Sequence, residues 1–456
     1  MNDASAASFE HVRTCPLCEA MCGLVLTVEG DRVTRVRPNH DDVWSRGYVC
    51  PKGAVLGELH HDPDRLRAPL VRDGERWREV GWDEAFAEVE RRLRPVLERH
   101  GLGAVTAYVG NPTAHSFSLS RYVGAFVALS SLPVIYSPGT IDQWPKNLVG
   151  ALLFGGMWDF PVPDLDRTDH LLMLGANPAA SQGSLLAAAD VLGRLDAIRG
   201  RGGRVVVVDP RRTGTAEHAD EWLPIRPGTD ALLLMAMVHV LFAEGRVRLG
   251  RLAAMTDGVE RVREACAPFS PDAVAGSCAI PAATIRRLAR ELSDAERAAV
   301  YGRIGTCNQE FGTLASWLVE VLNVLTGNLD REGGAMFANP LAWSSTSLRP
   351  PDQAGGWAFH RCRSRVRGVP EVLGQFPVSC LAEEIATPGD GRIRALITIA
   401  GNPVISTPGA AALDASLPLL DCMVSVDNYL NETTRHAHVV LPGLSPLEQP
   451  HYDEMI

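Results

Sequence analysis

The sequence predicts an α/β protein: a small N-terminal domain with a β-hairpin and four cysteines, then a multi-domain α/β body of mostly parallel sheets covered by helices. Three observations predict it. Four of the ten cysteines fall within the first fifty residues. Beyond them, short continuous apolar strands alternate with helical stretches, the pattern of parallel sheets buried on both faces. Two strands, LLMLG and ALITIAG, also run into Asn-Pro turns that look like copies of each other, at Asn177 and Asn402, 225 residues apart.

Composition bounds the function. At 456 residues there is room for two to four domains, and 46% hydrophobic with 21% charged residues is ordinary for a folded protein. A formal charge of −10 offers no basic field for phosphates, so nucleic acid is not an expected partner. The N-terminus, MNDASAASFEHVRTC, has neither a basic start before an apolar stretch nor a twin arginine, which sets a cytoplasmic expectation. The longest apolar run, Leu232 to Ala243, is shorter than the ~20 residues of a membrane span and reads as a buried helix. Among 44 basic residues only Lys52 and Lys146 are lysine. Each is either chance or a place that needs a compact, rotatable ammonium rather than a planar fork.

The cysteines open the chain-order reading. Cys15, Cys18, Cys22 and Cys50 are spaced Cys-x2-Cys-x3-Cys-x27-Cys, while Cys266, Cys278, Cys307, Cys362, Cys380 and Cys422 are scattered. In a cytoplasmic chain such thiols read as metal ligands or core residues rather than disulfides. Three thiolates within eight residues surround one face of a cuboidal iron–sulfur cluster, and a fourth on a returning strand closes the other corner. Zinc is the rival, although its sites usually come as two Cys-x2-Cys knuckles and the distal half here holds only Cys50. Between the ligands, GLVLTVEGDRVTRVRP alternates apolar and polar residues around Gly30-Asp31, a hairpin that returns Cys50 to the first three. Lys52 then falls where a cation would lie between the cluster and a second redox centre, or else is a surface lysine.

The body follows. Trp82 and Asp83 open an amphipathic helix with apolar positions Phe86, Val89, Leu93 and Leu97, ended by Gly101. Next come strand AVTAYVG, helix SRYVGAFVALS, strand PVIYS, strand HLLMLG, helix LLAAADVLGRLDAIRG beginning near Ser184, and strand RVVVVDP. The two copied loops, Gly175-Ala176-Asn177-Pro178 and Gly401-Asn402-Pro403, expose backbone amides at the carboxyl edge of a sheet, where open α/β folds bind nucleotides. Two loops suggest two nucleotides. After the first, Asp209 at a strand tip suits a ribose hydroxyl or the donors of a guanine edge, with Arg211 and the turn Arg226-Pro227-Gly228-Thr229-Asp230 near the same rim. Each feature alone is also an ordinary turn or cap.

Together these segments resemble the dimethyl sulfoxide reductase family of molybdopterin oxidoreductases, which includes formate dehydrogenases and nitrate reductases. The resemblance spans nearly the whole chain. It rests on TCPLCEAMCG with GYVCPKG, LLMLGANP, VVVVDPRRTGTAEHAD with LPIRPGTDALLL, LTGNLDREGG, and ALITIAGNP followed by VDNYLNETTRHAHVVLPG. It implies a 4Fe-4S domain over 11–66 and a molybdopterin core over 67–456, with dinucleotide loop regions at 168–232 and 393–443. It implies that Cys15, Cys18, Cys22 and Cys50 hold a [4Fe-4S] cluster and that Lys52 lies on the electron route to one pterin. Molybdenum or tungsten would be held by bis-molybdopterin guanine dinucleotide. Gly175, Asn177, Pro178, Asp209, Arg211, Gly228 and Asp230 would address one dinucleotide, and Gly401, Asn402, Pro403 and Asp427 the other.

The protein ligand to the metal departs from the thiolate pattern. In members using cysteine or selenocysteine, that ligand lies about thirteen residues before a glycine preceded by an aliphatic or aromatic residue; counting back from Gly155 lands on Asp142, in SPGTIDQWPKN. A carboxylate donor suits an oxidised, high-valent metal. Oxygen-ligated members move an oxygen atom, which weighs against a formate dehydrogenase-like activity. Thr140, or no protein ligand, are the alternatives, and Asp142 could instead cap a helix starting near Pro145. Lys146, one turn on, is placed to contact pterin or substrate.

Family members continue past VVLP into a C-terminal domain that closes over both pterins, whereas this sequence stops at Ile456 in what reads as a linker, LSPLEQPHYDEMI. Either the gene product is truncated or a partner completes the site. The expected function is two-electron or oxygen-atom-transfer redox chemistry on a small-molecule substrate, with a redox partner protein or subunit. The alternatives are an inactive or scaffold subunit that keeps the cluster without the pterins, and a zinc-stabilised nucleotide-binding protein.

Overall fold

The computed structural model describes residues 7–338 and 359–453; the last three residues of the predicted linker lie outside them. The chain divides into two compact units, 1–141 with 357–455 and 142–356.

In the first unit the predicted hairpin is present. Strands Gly23–Glu29 (β2) and Arg32–Pro38 (β3) pair antiparallel around Gly30, whose φ of 62° is a left-handed turn conformation that side chains resist. Ser8–Thr14 (β1) joins β2 along its length, making three strands where two were expected. Its residues are exposed or half-buried, so no apolar pattern announced it. The main sheet of this unit gathers Leu70–Asp73 (β4), Arg76–Glu79 (β5), Val105–Val109 (β6), Ala395–Ile399 (β15), Cys422–Val426 (β16) and Val439–Leu441 (β17) in the order β5-β4-β17-β16-β15-β6. Strands β6, β15, β16 and β17 run parallel; β4 and β5 add an antiparallel edge. Phe359–Arg363 (β13) and Pro370–Val372 (β14) form a small antiparallel pair.

The second unit centres on a parallel sheet of His170–Leu174 (β8), Arg204–Val208 (β9), Glu221–Leu223 (β10) and Ala298–Gly302 (β11), ordered β10-β9-β8-β11. Val162–Pro163 (β7) and Ala335–Met336 (β12) pair beside it. Alternate residues of one strand enter different cores. Leu172, Leu174, Val206, Val208 and Val300 pack with helix Asp230–Ala243, whereas Leu171, Met173, Val205, Val207 and Tyr301 pack with helix Val191–Gly200. The period of two, applied to nearly continuous apolar strands, buries both faces. Burying each such side chain contributes roughly 1.5–3 kcal/mol.

The structure corrects several expectations. Helix Trp82–His100 ends at Gly101 as predicted, but it buries Ala85 and Val96 with Val89 and Leu93 partly covered, leaving Phe86 and Leu97 exposed. The PVIYS segment forms only isolated bridges through Ile135 and Tyr136. The helix expected from Ser184 begins at Val191, capped by the Asp190 side chain; Ser184, Leu185, Ala187 and Asp190 take positive φ, which halts helix propagation. Cys50 arrives at the N-cap of the short helix Pro51–Ala54, not on a strand.

The supposed linker is packed. Arg13 donates to the carbonyls of Leu447, Pro446 and Gln449 at 2.7, 3.0 and 3.3 Å. Glu448 pairs with Arg65 at 3.4 Å, and buried Asp453 meets His115 Nδ1 at 2.9 Å. Among the described residues, no helix is long and apolar enough to cross a membrane.

Candidate functional site

Three groups of residues are candidates for the site, beginning with the cysteine loop between β1 and β2. Its turn is closed by Cys15 N–H donating to Cys22 O at 2.8 Å and Met21 N–H to Cys18 O at 3.2 Å, with Met21 left-handed at φ 48°. Trp44 Nε1 holds Ala20 O from outside at 3.1 Å. Cys15, Cys22 and Cys50 are buried and Cys18 is half-buried. At Gly53, a Cβ would stand 2.8 Å from the Val49 side chain and 3.4 Å from Cys15 Sγ, so a larger residue there requires Val49 to shift.

Burial pushes the Cys15 thiol up to about 11 and those of Cys18 and Cys22 to about 12, and the neighbouring thiols add to each rise. Four clustered cysteines whose thiolates would repel one another fit a site in which bound cations supply the missing positive charge. Among the described residues no three His, Cys, Asp or Glu side chains converge as on one ion; a cuboidal cluster takes one thiolate at each of four separate irons and needs no such convergence. Lys52 is exposed, and its charge eases ionisation of Cys15.

The second group is the pair of Asn-Pro loops, one in each unit, and they share a hydrogen-bond frame. After β8, Asn177 Oδ1 accepts from Thr215 Oγ1 at 2.8 Å, and that hydroxyl accepts from Ala179 N–H at 3.0 Å. After β15, Asn402 Oδ1 accepts from Thr433 Oγ1 at 2.6 Å, which accepts from Val404 N–H at 3.1 Å. Gly175 and Ala400 occupy matching left-handed positions, φ 56° and 49°. Asp209 and Asp427 each donate their N–H to the next strand at 3.2 Å, to Leu223 O and Leu441 O. Their Oδ1 atoms accept from Arg211 N–H at 2.9 Å and Tyr429 N–H at 3.1 Å. Pro178 and Pro403 both begin a short helix.

Sequence reading missed Thr215 and Thr433. The available signal was their spacing, each six residues beyond its strand-end aspartate.

On the first rim, Gly228 turns at φ 81° and Asp230 is buried at the start of its helix. Burial lifts the Asp230 carboxyl above its ordinary value and nearby Asp209 adds to this, against the Gln309 amide that donates at 2.9 Å. Gln309 Oε1 is buried without a hydrogen-bond partner, a feature the sequence did not reveal. Asp427 is likewise raised by burial. The loops differ in charge: exposed Arg211 and Arg212 flank the first, while Glu432 accepts from Asn402 Nδ2 at 2.7 Å on the second. Hydroxyls, amines and pyrophosphate of a dinucleotide fit these donors and acceptors.

The third group surrounds Asp142. Helix Trp144–Leu153 has Gln143 at its N-cap and no side-chain cap, so Asp142 does not play the capping role. Its carboxylate is taken by Arg303, just beyond β11, through Nη1–Oδ1 at 2.5 Å and Nη2–Oδ2 at 3.2 Å. Thr140 is otherwise engaged: its hydroxyl donates to Ser137 O at 3.1 Å and accepts from Val378 N–H at 3.0 Å. Lys146 is buried, with Nζ 4.7 Å from the Tyr301 ring centroid and 5.5 Å from that of Phe160, and it makes no hydrogen bond. Burial lowers its pKa, opposed by buried Glu320, whose carboxyl burial pushes up to about 7.

Comparison with known proteins identifies the family. The molybdopterin oxidoreductase profile matches residues 65–452, and the molybdopterin oxidoreductase Fe4S4 domain profile matches 12–62. The chain is 26% identical over 443 residues to the F420-dependent formate dehydrogenase subunit alpha of Methanocaldococcus jannaschii, covering 95% of this chain and 64% of that one. It is 26% identical over 462 residues to the thiosulfate reductase molybdopterin-containing subunit of Salmonella typhimurium, covering 95% and 58%. The chain thus spans about three fifths of the length of these relatives. Acetylene hydratase from Pelobacter acetylenicus shares the fold, with a TM-score of 0.75 at 21% identity over 95% of this chain and 62% of that one. The paired loops, the buried thiol quartet and both profiles converge: the chain belongs to the molybdopterin oxidoreductase family and carries that family's Fe4S4 domain at its N-terminal end.

Proposed function

We propose that the chain is the core of a molybdenum- or tungsten-dependent oxidoreductase that holds two molybdopterin guanine dinucleotides, one on each Asn-Pro loop, beside a [4Fe-4S] cluster. The observation that carries this reading is the Asn–Thr–amide frame repeated at Asn177 and Asn402. The bound metal centre would supply two-electron or oxygen-atom-transfer chemistry.

The chain's own residues have separable tasks. Gly175, Asn177, Pro178, Asp209, Arg211, Gly228 and Asp230 orient one dinucleotide; Gly401, Asn402, Pro403 and Asp427 orient the other. Cys15, Cys18, Cys22 and Cys50 hold the cluster, and Lys52 provides positive charge along the electron route. Asp142 is the proposed ligand to the metal, a hard donor that favours a high oxidation state. Lys146 is the buried cation one helical turn behind it.

The substrate is proposed to be a small molecule and the electron partner another protein or subunit. The proposed compartment is the cytoplasm, in keeping with ten free thiols. The Methanocaldococcus relative supports a formate dehydrogenase-like alternative, which the carboxylate at Asp142 disfavours.

Metal, iron and acid-released GMP measured on purified protein test the reading. Two GMP and one molybdenum or tungsten for every four irons are expected. Iron without metal or GMP would instead identify a scaffold subunit, and zinc in place of iron would remove the cluster.

A further inference from the structure

We propose that Arg303 is the positioning residue for Asp142: its guanidinium holds the carboxylate in the one orientation in which it is offered to the metal. The inference rests on the reading of Asp142 as ligand and goes further, naming the residue that makes that ligation possible.

Four observations support it. Asp142 precedes a helix whose N-cap is Gln143, so helix formation makes no demand on its side chain. Arg303 follows the last residue of β11, and its backbone N–H donates to Leu174 O at 3.1 Å, so the fork projects from a rigid sheet edge. The Arg303 side chain is only 14% exposed against 30% for Asp142, and its buried Nε has no acceptor, which leaves the Asp142 carboxylate as the group its side chain grips. The grip is unequal: 2.5 Å at Oδ1 and 3.2 Å at Oδ2. Both oxygens are engaged by the one fork, which fixes the plane of the carboxylate.

Physical chemistry favours arginine here. A planar guanidinium engages both carboxylate oxygens and stays protonated at any working pH, whereas an ammonium binds as a point charge and lets the carboxylate rotate. A carboxylate held through both oxygens keeps one plane and presents its remaining lone pairs in a single orientation. In that orientation it would serve as a single hard donor to a bound metal.

The test uses electron paramagnetic resonance of the half-reduced metal in purified, cofactor-loaded wild-type, D142N, R303Q and R303K proteins. Iron content and circular dichroism serve as controls for folding. Wild type is expected to give one metal species. D142N should shift that species, R303Q should shift or split it, and R303K should give two or more species, because charge is retained while the fork is lost. If D142N matches wild type, Asp142 is not the ligand and the proposal falls with that reading. If D142N shifts the spectrum while R303Q and R303K both retain the single wild-type species, Asp142 ligates without help and the assignment to Arg303 is overturned. Should R303Q fail to fold, R303K alone decides.

Discussion

Thr215 Oγ1 donates to Asn177 Oδ1 at 2.8 Å and in the same arrangement accepts the N–H of Ala179, so one hydroxyl fixes both the side chain and the backbone of the first Asn-Pro loop. Thr215→Val keeps the shape and strands both groups, at a cost of about 1–3 kcal/mol. Thr433→Val should do the same to the second loop. Each single variant is expected to lose one of two bound nucleotides, measured as acid-released GMP, while Thr215→Ser keeps both. Full GMP content in both valine variants would show that these frames do not serve nucleotides.

Lys146 and Glu320 are buried together, and each opposes the other's desolvation. Removing one leaves an uncompensated buried group, so Lys146→Met is expected to destabilise by about 3–5 kcal/mol, and Lys146→Met with Glu320→Leu to recover most of that. The pH response is specific. Glu320 binds its proton more tightly when folded, so its contribution is full below the ordinary glutamate value and is lost as pH rises toward about 7. Without Lys146 the folded value rises further, and the decline should extend to higher pH in denaturant titrations. An unchanged pH profile in Lys146→Met would mean the two groups do not interact.

His115 and Asp453 form a buried pair at 2.9 Å. Burial lowers the imidazole's affinity for protons, but the Asp453 hydrogen bond and charge, with Glu19, outweigh it and raise the pKa. A raised histidine stabilises fully below its unfolded value near 6.5 and fades as pH climbs through the folded value. Thermal midpoints should therefore fall across that interval, and Asp453→Asn should flatten the fall. A steeper fall in the variant would reverse the assignment.

The apo thiols of Cys15, Cys18 and Cys22 are held far above neutral, so loading iron must displace protons. Reconstitution is expected to acidify a weakly buffered solution and to run faster at pH 9 than at pH 7. Cys22→Ser should abolish the brown absorbance and most of the bound iron. Retention of both would exclude the quartet as ligands.

Much of this was legible in the chain itself. Apolar continuity announced β8, β9 and β15, because strands covered on both faces need no alternation. The cysteine spacing located its loop before any coordinates. What stayed hidden was non-local. β1 is exposed and exists because β2 offers it an edge; Arg303 reaches Asp142 across 161 residues; Gln309 closes on Asp230 across 79. The stretch from Ser184 to Asp190 looked helical because its leucines and alanines have high propensity, yet tertiary contacts such as Tyr301 OH to Ser184 O at 2.5 Å hold it in another form.

Arg13 and the carbonyl of Leu447 that it holds are separated by 434 residues. Closing so long a loop is slow, so this contact forms late in folding. Strand β1 therefore gains its bracing only when that distant segment docks, whereas the β2–β3 hairpin beside the cysteines closes through local contacts alone.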